Sequence, residues 1–126
     1  MGEAEYSWLQ FNEDGSRLAC GGRDGSLLLW DVTKRKEIAF IKTPGMGKMV
    51  SAIAFNSAGS LVAYGSNDDR GDHNVCVYSL IEGKHVGVWT DNAYGVASLS
   101  FKPQSNQLAV SGGKTVNVYD IKEPMK

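Results

Sequence analysis

Gly113-Lys114-Thr115 is the most suggestive run of residues for chemistry in this chain. A phosphate-binding loop ends in Gly-Lys-Thr, but it also needs an earlier glycine at what is here position 108, where Leu108 stands. Such a loop also feeds a helix N-terminus that receives the phosphate. This segment instead reads as a turn between strands, so no nucleotide site is expected. Arg70-Gly71-Asp72 spells an adhesion tripeptide inside a polar stretch, and so short a string arises readily by chance. Asp68, Asp69, Asp72 and His73 in that stretch could attract a cation. They lack the alternating oxygen ligands and distal Glu of a calcium loop, so no metal is expected there. As an exposed polar insertion the stretch is a candidate partner contact through Asp69 and Arg70. Lys34-Arg35-Lys36 is the densest basic run and reads as a solvated turn. RNA phosphate is the rival reading, and such binding would weaken steeply with salt. His73 and His85 have no Cys or carboxylate at ligand or catalytic spacing. Cys20 and Cys76 are expected on strands of separate units as buried free thiols. No Ser, Cys or Asp sits in a nucleophile motif. The chain is therefore expected to be neither an enzyme nor a cofactor protein.

The chain has 126 residues, a formal charge of −1 and 42% apolar residues. That length suits one ordinary domain. A balance so near neutral argues against a dedicated nucleic-acid or membrane-surface module, which carries a basic excess. Two cysteines are too few for a secreted disulfide framework. Met-Gly-Glu-Ala-Glu-Tyr at the start lacks the basic and apolar segments of a signal peptide. No apolar run approaches the ~18 residues that cross a bilayer. An intracellular location, cytoplasmic or nuclear, and no membrane partner are expected.

The elements that must carry these residues are short strands. Fifteen glycines and three prolines point to many tight turns. Tyr6 to Phe11, Arg17 to Gly22, Ser26 to Trp30 and Glu37 to Ile41 alternate or run apolar. Asp14-Gly15 and Asp24-Gly25 lie between them as hairpin signals. No window keeps the helical apolar spacing for three turns. The pattern then recurs: Phe11, Phe55 and Phe101 stand 44 and 46 residues apart. A period of about 40–45 residues with four strands per unit marks a propeller blade.

The chain resembles the WD40-repeat family along nearly its whole length. The likeness rests on Phe11-Asn12-Glu13-Asp14-Gly15, on Leu18 to Gly25 and on Trp30-Asp31, with Phe55-Asn56, Gly59 and Tyr78-Ser79 in a second repeat and Phe101-Lys102-Pro103 and Tyr119-Asp120 in a third. It implies an all-β fold, a single partial propeller over 1–126. Its blades would be 6–43, 50–90 and 95–121, the last lacking its outer strand. Asp24, Trp30, Phe55, Tyr78, Phe101 and Tyr119 would be structural. Trp8, Trp30 and Trp89 read as packing residues, with outer-strand Trp89 the one that could also face a partner. The family's Gly-His pair is absent before the second and third repeats, and Cys20 stands where Ser is common. The family's buried polar network therefore cannot form in the first repeat, and apolar packing between sheets is expected to hold the blades. Losing such a set together need not destabilise the fold.

Propellers usually close with about four to eight blades. Three blades form an arc with open faces, which monomers seldom tolerate. Three completions are open: the chain as the C-terminal blades of a larger propeller, blades from another chain, or a second copy of this chain. The missing fourth strand favours the first two, since self-association supplies no spare strand. The resemblance implies a non-catalytic scaffold that binds other proteins. The alternative is a structural subunit of a ribonucleoprotein assembly, with loops touching RNA. The loops that join successive blades give the expected contact surface, Met46, Lys48, Asn92 and Tyr94.

Overall fold

In the computed structural model the described residues are 5–42, 49–66, 75–89, 96–112 and 115–122. They form three antiparallel sheets with no helix among the described residues. The first sheet runs in the order β1 (Tyr6–Phe11), β2 (Arg17–Gly22), β3 (Ser26–Asp31), β4 (Lys36–Lys42). The second follows with β5 (Val50–Phe55), β6 (Leu61–Ser66), β7 (Val75–Ser79) and β8 (Lys84–Trp89). The third has β9 (Ser98–Phe101), β10 (Gln107–Gly112) and β11 (Thr115–Asp120), with no fourth strand among the described residues.

Side chains along a strand point alternately to opposite faces. That alternation sorts the apolar residues into two layers. Ala19, Leu27 and Leu29 of the first sheet meet Val50, Ile53, Val62, Tyr64 and Cys76 of the second. The opposite face of the second sheet places Ala52, Leu61, Ala63, Val75 and Val77 against Val96, Leu99, Phe101, Leu108 and Val110. β6 is therefore buried at every position, which explains its almost unbroken apolar sequence. β5 lies against both β1 and β9, so the first strand of each sheet forms the inner edge of the arc.

The hairpin turns follow from their residues. Asn12 Oδ1 accepts the Arg17 amide, and Asp14 Oδ1 accepts both the amide and the hydroxyl of Ser16. Asn56 repeats the first contact with the Leu61 amide at 2.9 Å. These local bonds compete with a continued strand and so turn the chain. β9 begins at Ser98 rather than at the expected 95. Its ladder starts late because the Val96 amide donates to Ser66 O of the neighbouring sheet, at 2.9 Å.

Candidate functional site

The sheets are joined by a contact that occurs twice in register. β1 carries an irregularity between Tyr6 and Trp8, and β5 carries one between Val50 and Ala52. Each frees a serine from the ladder. Ser7 Oγ donates to Val50 O of the next sheet at 3.3 Å, and Ser51 Oγ donates to Val96 O at 2.8 Å. The same valines press on a glycine. A Cβ on Gly21 would stand 2.7 Å from Val50 Cγ1, and one on Gly65 would stand 3.0 Å from Val96 Cγ1. Apolar packing thus joins the sheets as expected, with a serine–carbonyl contact and a glycine beside it. A further polar tie crosses the second interface, where buried Asn56 Nδ2 donates to Asn106 Oδ1 at 2.9 Å.

The turns joining the first two strands of each sheet, 12–16, 56–60 and 102–106, lie side by side on one face of the arc. A groove of about 390 Å³ there is lined by Gln10, Phe11, Glu13, Phe55, Phe101 and Pro103 among others. A wider cleft of about 720 Å³ adjoins it, with Ser57, Gln104, Ser105 and Asn106 along its wall. The three aligned phenylalanines thus converge on one surface. Phe101 is 8% exposed, whereas Phe11 is 54% exposed.

The two ends of the arc are open. Leu9, Ile53 and Leu99 occupy equivalent positions, yet they are 61%, 6% and 8% exposed. On β11, Val116 and Val118 are 71% and 58% exposed, while their second-sheet equivalents Val75 and Val77 are both 0% exposed.

A partly buried polar cluster lies at the outer side of the second sheet. Tyr64 Oη and His85 Nε2 are 2.6 Å apart, and Tyr78 meets the His85 ring edge-on at 5.4 Å. Cys76 bonds to Tyr64, and burial pushes its thiol up to about 12. Such a thiol stays protonated and unreactive near neutrality. Burial also pulls His85 below its ordinary value. Spacing along the sequence does not reveal this group. Register does, since Tyr64 pairs with Cys76 and Tyr78 with His85 across the ladders.

The sign of the resulting pH dependence is fixed. Unfolded His85 takes up a proton near pH 6.5, whereas the folded protein resists it. Its contribution is present above that pH and is lost as pH falls from there through the lower native value. Urea midpoints measured at pH 7.5 and pH 5.5 should fall on acidification. In His85→Gln the fall between these pH values should be clearly smaller.

Asp24 accepts the Ser26 amide and hydroxyl and pairs with Lys42 at 3.7 Å. Its Ser26 hydrogen bonds hold the carboxyl below the usual range. Trp30, Phe55, Tyr78 and Tyr119 are half-buried and Phe101 is buried. Trp89 is half-buried and stacks on Tyr119 of the third sheet at 4.8 Å. Trp8, expected as a packing residue, is 44% exposed; it takes the place that Ala52 holds in β5, on the face toward the following sheet, and that sheet covers its large ring only in part. Both cysteines are free and buried. Met46, Lys48, Asp69, Arg70, Asn92 and Tyr94 lie outside the described residues. So does the Gly-Lys pair of the phosphate-loop lookalike. No group of three or more metal-ligating side chains occurs among the described residues. Among those residues no helix is long and apolar enough to cross a membrane.

The family model described as "WD domain, G-beta repeat" matches residues 6–31 and 83–120, about half of the chain. The chain belongs to the WD40 family. The second match takes in β8 together with β9–β11, so the WD40 sequence repeat is offset by one strand from the sheet. WD40 propellers are in general non-catalytic platforms that bind other proteins. Among curated relatives, the anaphase-promoting complex subunit cdc20 of Dictyostelium discoideum is 30% identical over 115 residues, 90% of this chain and 21% of the relative. The anaphase-promoting complex subunit cdh1 of the same organism is 30% identical over 123 residues, 93% of this chain and 15% of the relative. The chain therefore spans about a fifth or less of the length of these relatives. Two solved structures share its WD40 fold. The β-propeller domain of Myceliophteria thermophila Cps50 (Swd1) superposes with a TM-score of 0.81 at 19% identity, over 98% of this chain and 38% of that one. U3-55K superposes with a TM-score of 0.80 at 21% identity, over 95% of this chain and 37% of that one.

Proposed function

We propose that this chain is a non-catalytic scaffold for protein–protein interactions, contributing blades 6–43, 50–90 and 95–121 to a larger propeller inside the cell. The observation that carries this reading is the pair of open faces. Positions that a neighbouring sheet covers in the middle of the arc stand exposed at both ends. Covering Val116 and Val118 would stabilise the assembly by on the order of 1.5–3 kcal/mol each. Further blades, in the same polypeptide or from another chain, are the occupants with the matching shape. The curated relatives support a role in a protein complex, since both are named as subunits of one. The residues assigned to partner binding in this reading are Met46, Lys48, Asn92 and Tyr94, together with Trp89, Asp69 and Arg70.

Light scattering on the 126-residue chain tests the completion. The expected result is association or poorly cooperative unfolding. A monodisperse monomer with a sharp thermal transition would refute it. Nuclease-treated co-purification tests the class of partner. Partners retained after RNA digestion are expected, whereas their loss would favour a ribonucleoprotein role. Alanine at Met46, Lys48, Asn92 and Tyr94 together should cut partner recovery at least about tenfold, a loss of roughly 1.4 kcal/mol or more, with circular dichroism unchanged.

A further inference from the structure

We infer that the open face of the third sheet is built for a sheet with Gly or Ala opposite Ser111 and a carboxylate near Lys102, and that a second copy of this chain does not fit it. This rests on the reading of the chain as part of a larger ring, and adds the identity of the matching residues. The two interfaces inside the chain show what a neighbour normally brings. Each places a valine, Val50 or Val96, on a glycine, and each adds a serine hydroxyl from the inner strand to that valine's carbonyl. The third sheet reverses both elements. Ser111 stands where Gly21 and Gly65 stand, and Ala97 stands where Ser7 and Ser51 stand. A valine already reaches to within 3.0 Å of a hypothetical Cβ in the existing interfaces. With a real Cβ and hydroxyl at Ser111, only a smaller side chain seats at the same sheet spacing.

The rest of this face departs in the same direction. Ser98, Ser100 and Gln107 replace Ala52, Ala54 and Leu61 of the second sheet. A shallow groove of about 100 Å³ runs between Ser98, Ser100, Ala109, Ser111 and Val116. The polar tie changes as well. Exposed Lys102 occupies the position from which Asn56 reaches across to the next sheet, and its amide makes the equivalent bond to Gln107 O. A cation at that place favours a carboxylate in the turn between the neighbour's first two strands, where Asn106 stands in the existing interface. The first sheet of a second copy would bring Tyr6 onto Ser111 and Ser16 towards Lys102. A phenol ring is larger than the valine that already needs glycine, and a serine carries no charge.

The size rule is tested by moving the third-sheet pair into the first interface. Ser7→Ala with Gly21→Ser should lower the thermal midpoint of the chain. Adding Val50→Ala should raise it on that background, although Val50→Ala alone lowers it. Equal lowering on both backgrounds would overturn the inference. Should the double variant fail to fold, Gly65→Ser with and without Val96→Ala asks the same question at the second interface, with the same two outcomes. The charge rule is tested by Asn56→Lys, whose loss of midpoint should be reduced by Asn106→Asp in low salt and not in 1 M NaCl; no reduction in low salt overturns that half. A second copy is tested by oxidising a mixture of Leu9→Cys and Val118→Cys chains. No mixed disulfide is expected, and its efficient formation would overturn the exclusion. None of these readouts depends on isolating the missing blades, so failure here is separable from failure of the ring reading.

Discussion

Asn56→Leu should cost the fold about 2–4 kcal/mol, a fall of roughly 10 °C in thermal midpoint. Asn56 is 2% exposed. Its Oδ1 is the acceptor for the Leu61 amide, and its Nδ2 serves both Ser60 Oγ and Asn106 Oδ1. Leucine has the same side-chain branching but fills none of these roles. The Leu61 amide would then be buried without its partner, and such groups carry the full cost of desolvation. Asn12 is the control. It makes the matching bonds to Arg17 and Ser16, but it is only half-buried. Water can replace its lost bonds, so Asn12→Leu should cost about 1 kcal/mol or less. Equal losses at the two positions would mean that the tie to Asn106 contributes nothing. Urea unfolding of the paired variants gives the comparison directly.

The contrast between Asn12 and Asn56 also shows what the sequence could reveal. Both stand in the same motif after an aligned phenylalanine, and their turns were legible from Asp-Gly and from the repeat. The strands were legible too, because period-two alternation and turn residues act locally. The contact from Asn56 to Asn106 was not legible, since it depends on how two sheets are spaced. Gly21 and Gly65 hide their role for the same reason. Read along the chain they end strands, and only the approach of Val50 and Val96 gives the missing Cβ a purpose. Tyr64 and His85 lie between these extremes. Laying out the hairpin register brings Cys76 beside Tyr64 and His85 beside Tyr78, so pattern reasoning had the means to find the cluster. The open ends were legible from repeat counting, which leaves the third unit one strand short. Residue type alone makes Trp8 a packing residue, but at the position that Ala52 takes in β5 so large a ring is only partly covered.

Val77→Asp and Val118→Asp should separate folding from association more sharply than any other pair. The two valines hold equivalent places in the second and third sheets. Val77 is 0% exposed between two sheets, whereas Val118 is 58% exposed on β11. An aspartate at 77 would be ionised in an apolar layer among Leu61, Ala63 and Leu108, with no cation among those neighbours. The cost of burying an unpaired charge is several kcal/mol, enough to unfold a domain of ordinary stability. Val77→Asp should therefore give an unfolded or aggregated chain. At 118 the same carboxylate stays in water, and far-ultraviolet dichroism and thermal midpoint should remain close to wild type. Its effect should appear only when the neighbouring blade is present, because docking would then bury the charge. Partner capture by Val118→Asp should fall at least about a hundredfold, which is roughly 2.7 kcal/mol. Undiminished capture would show that β11 faces solvent in the assembled protein and that the ring is completed elsewhere. A Val118→Asp chain that fails to fold would show instead that the third sheet draws stability from β11 in the isolated chain, contrary to its exposure. The pair thus tests whether a position that buries a valine inside the arc has the same purpose at its edge.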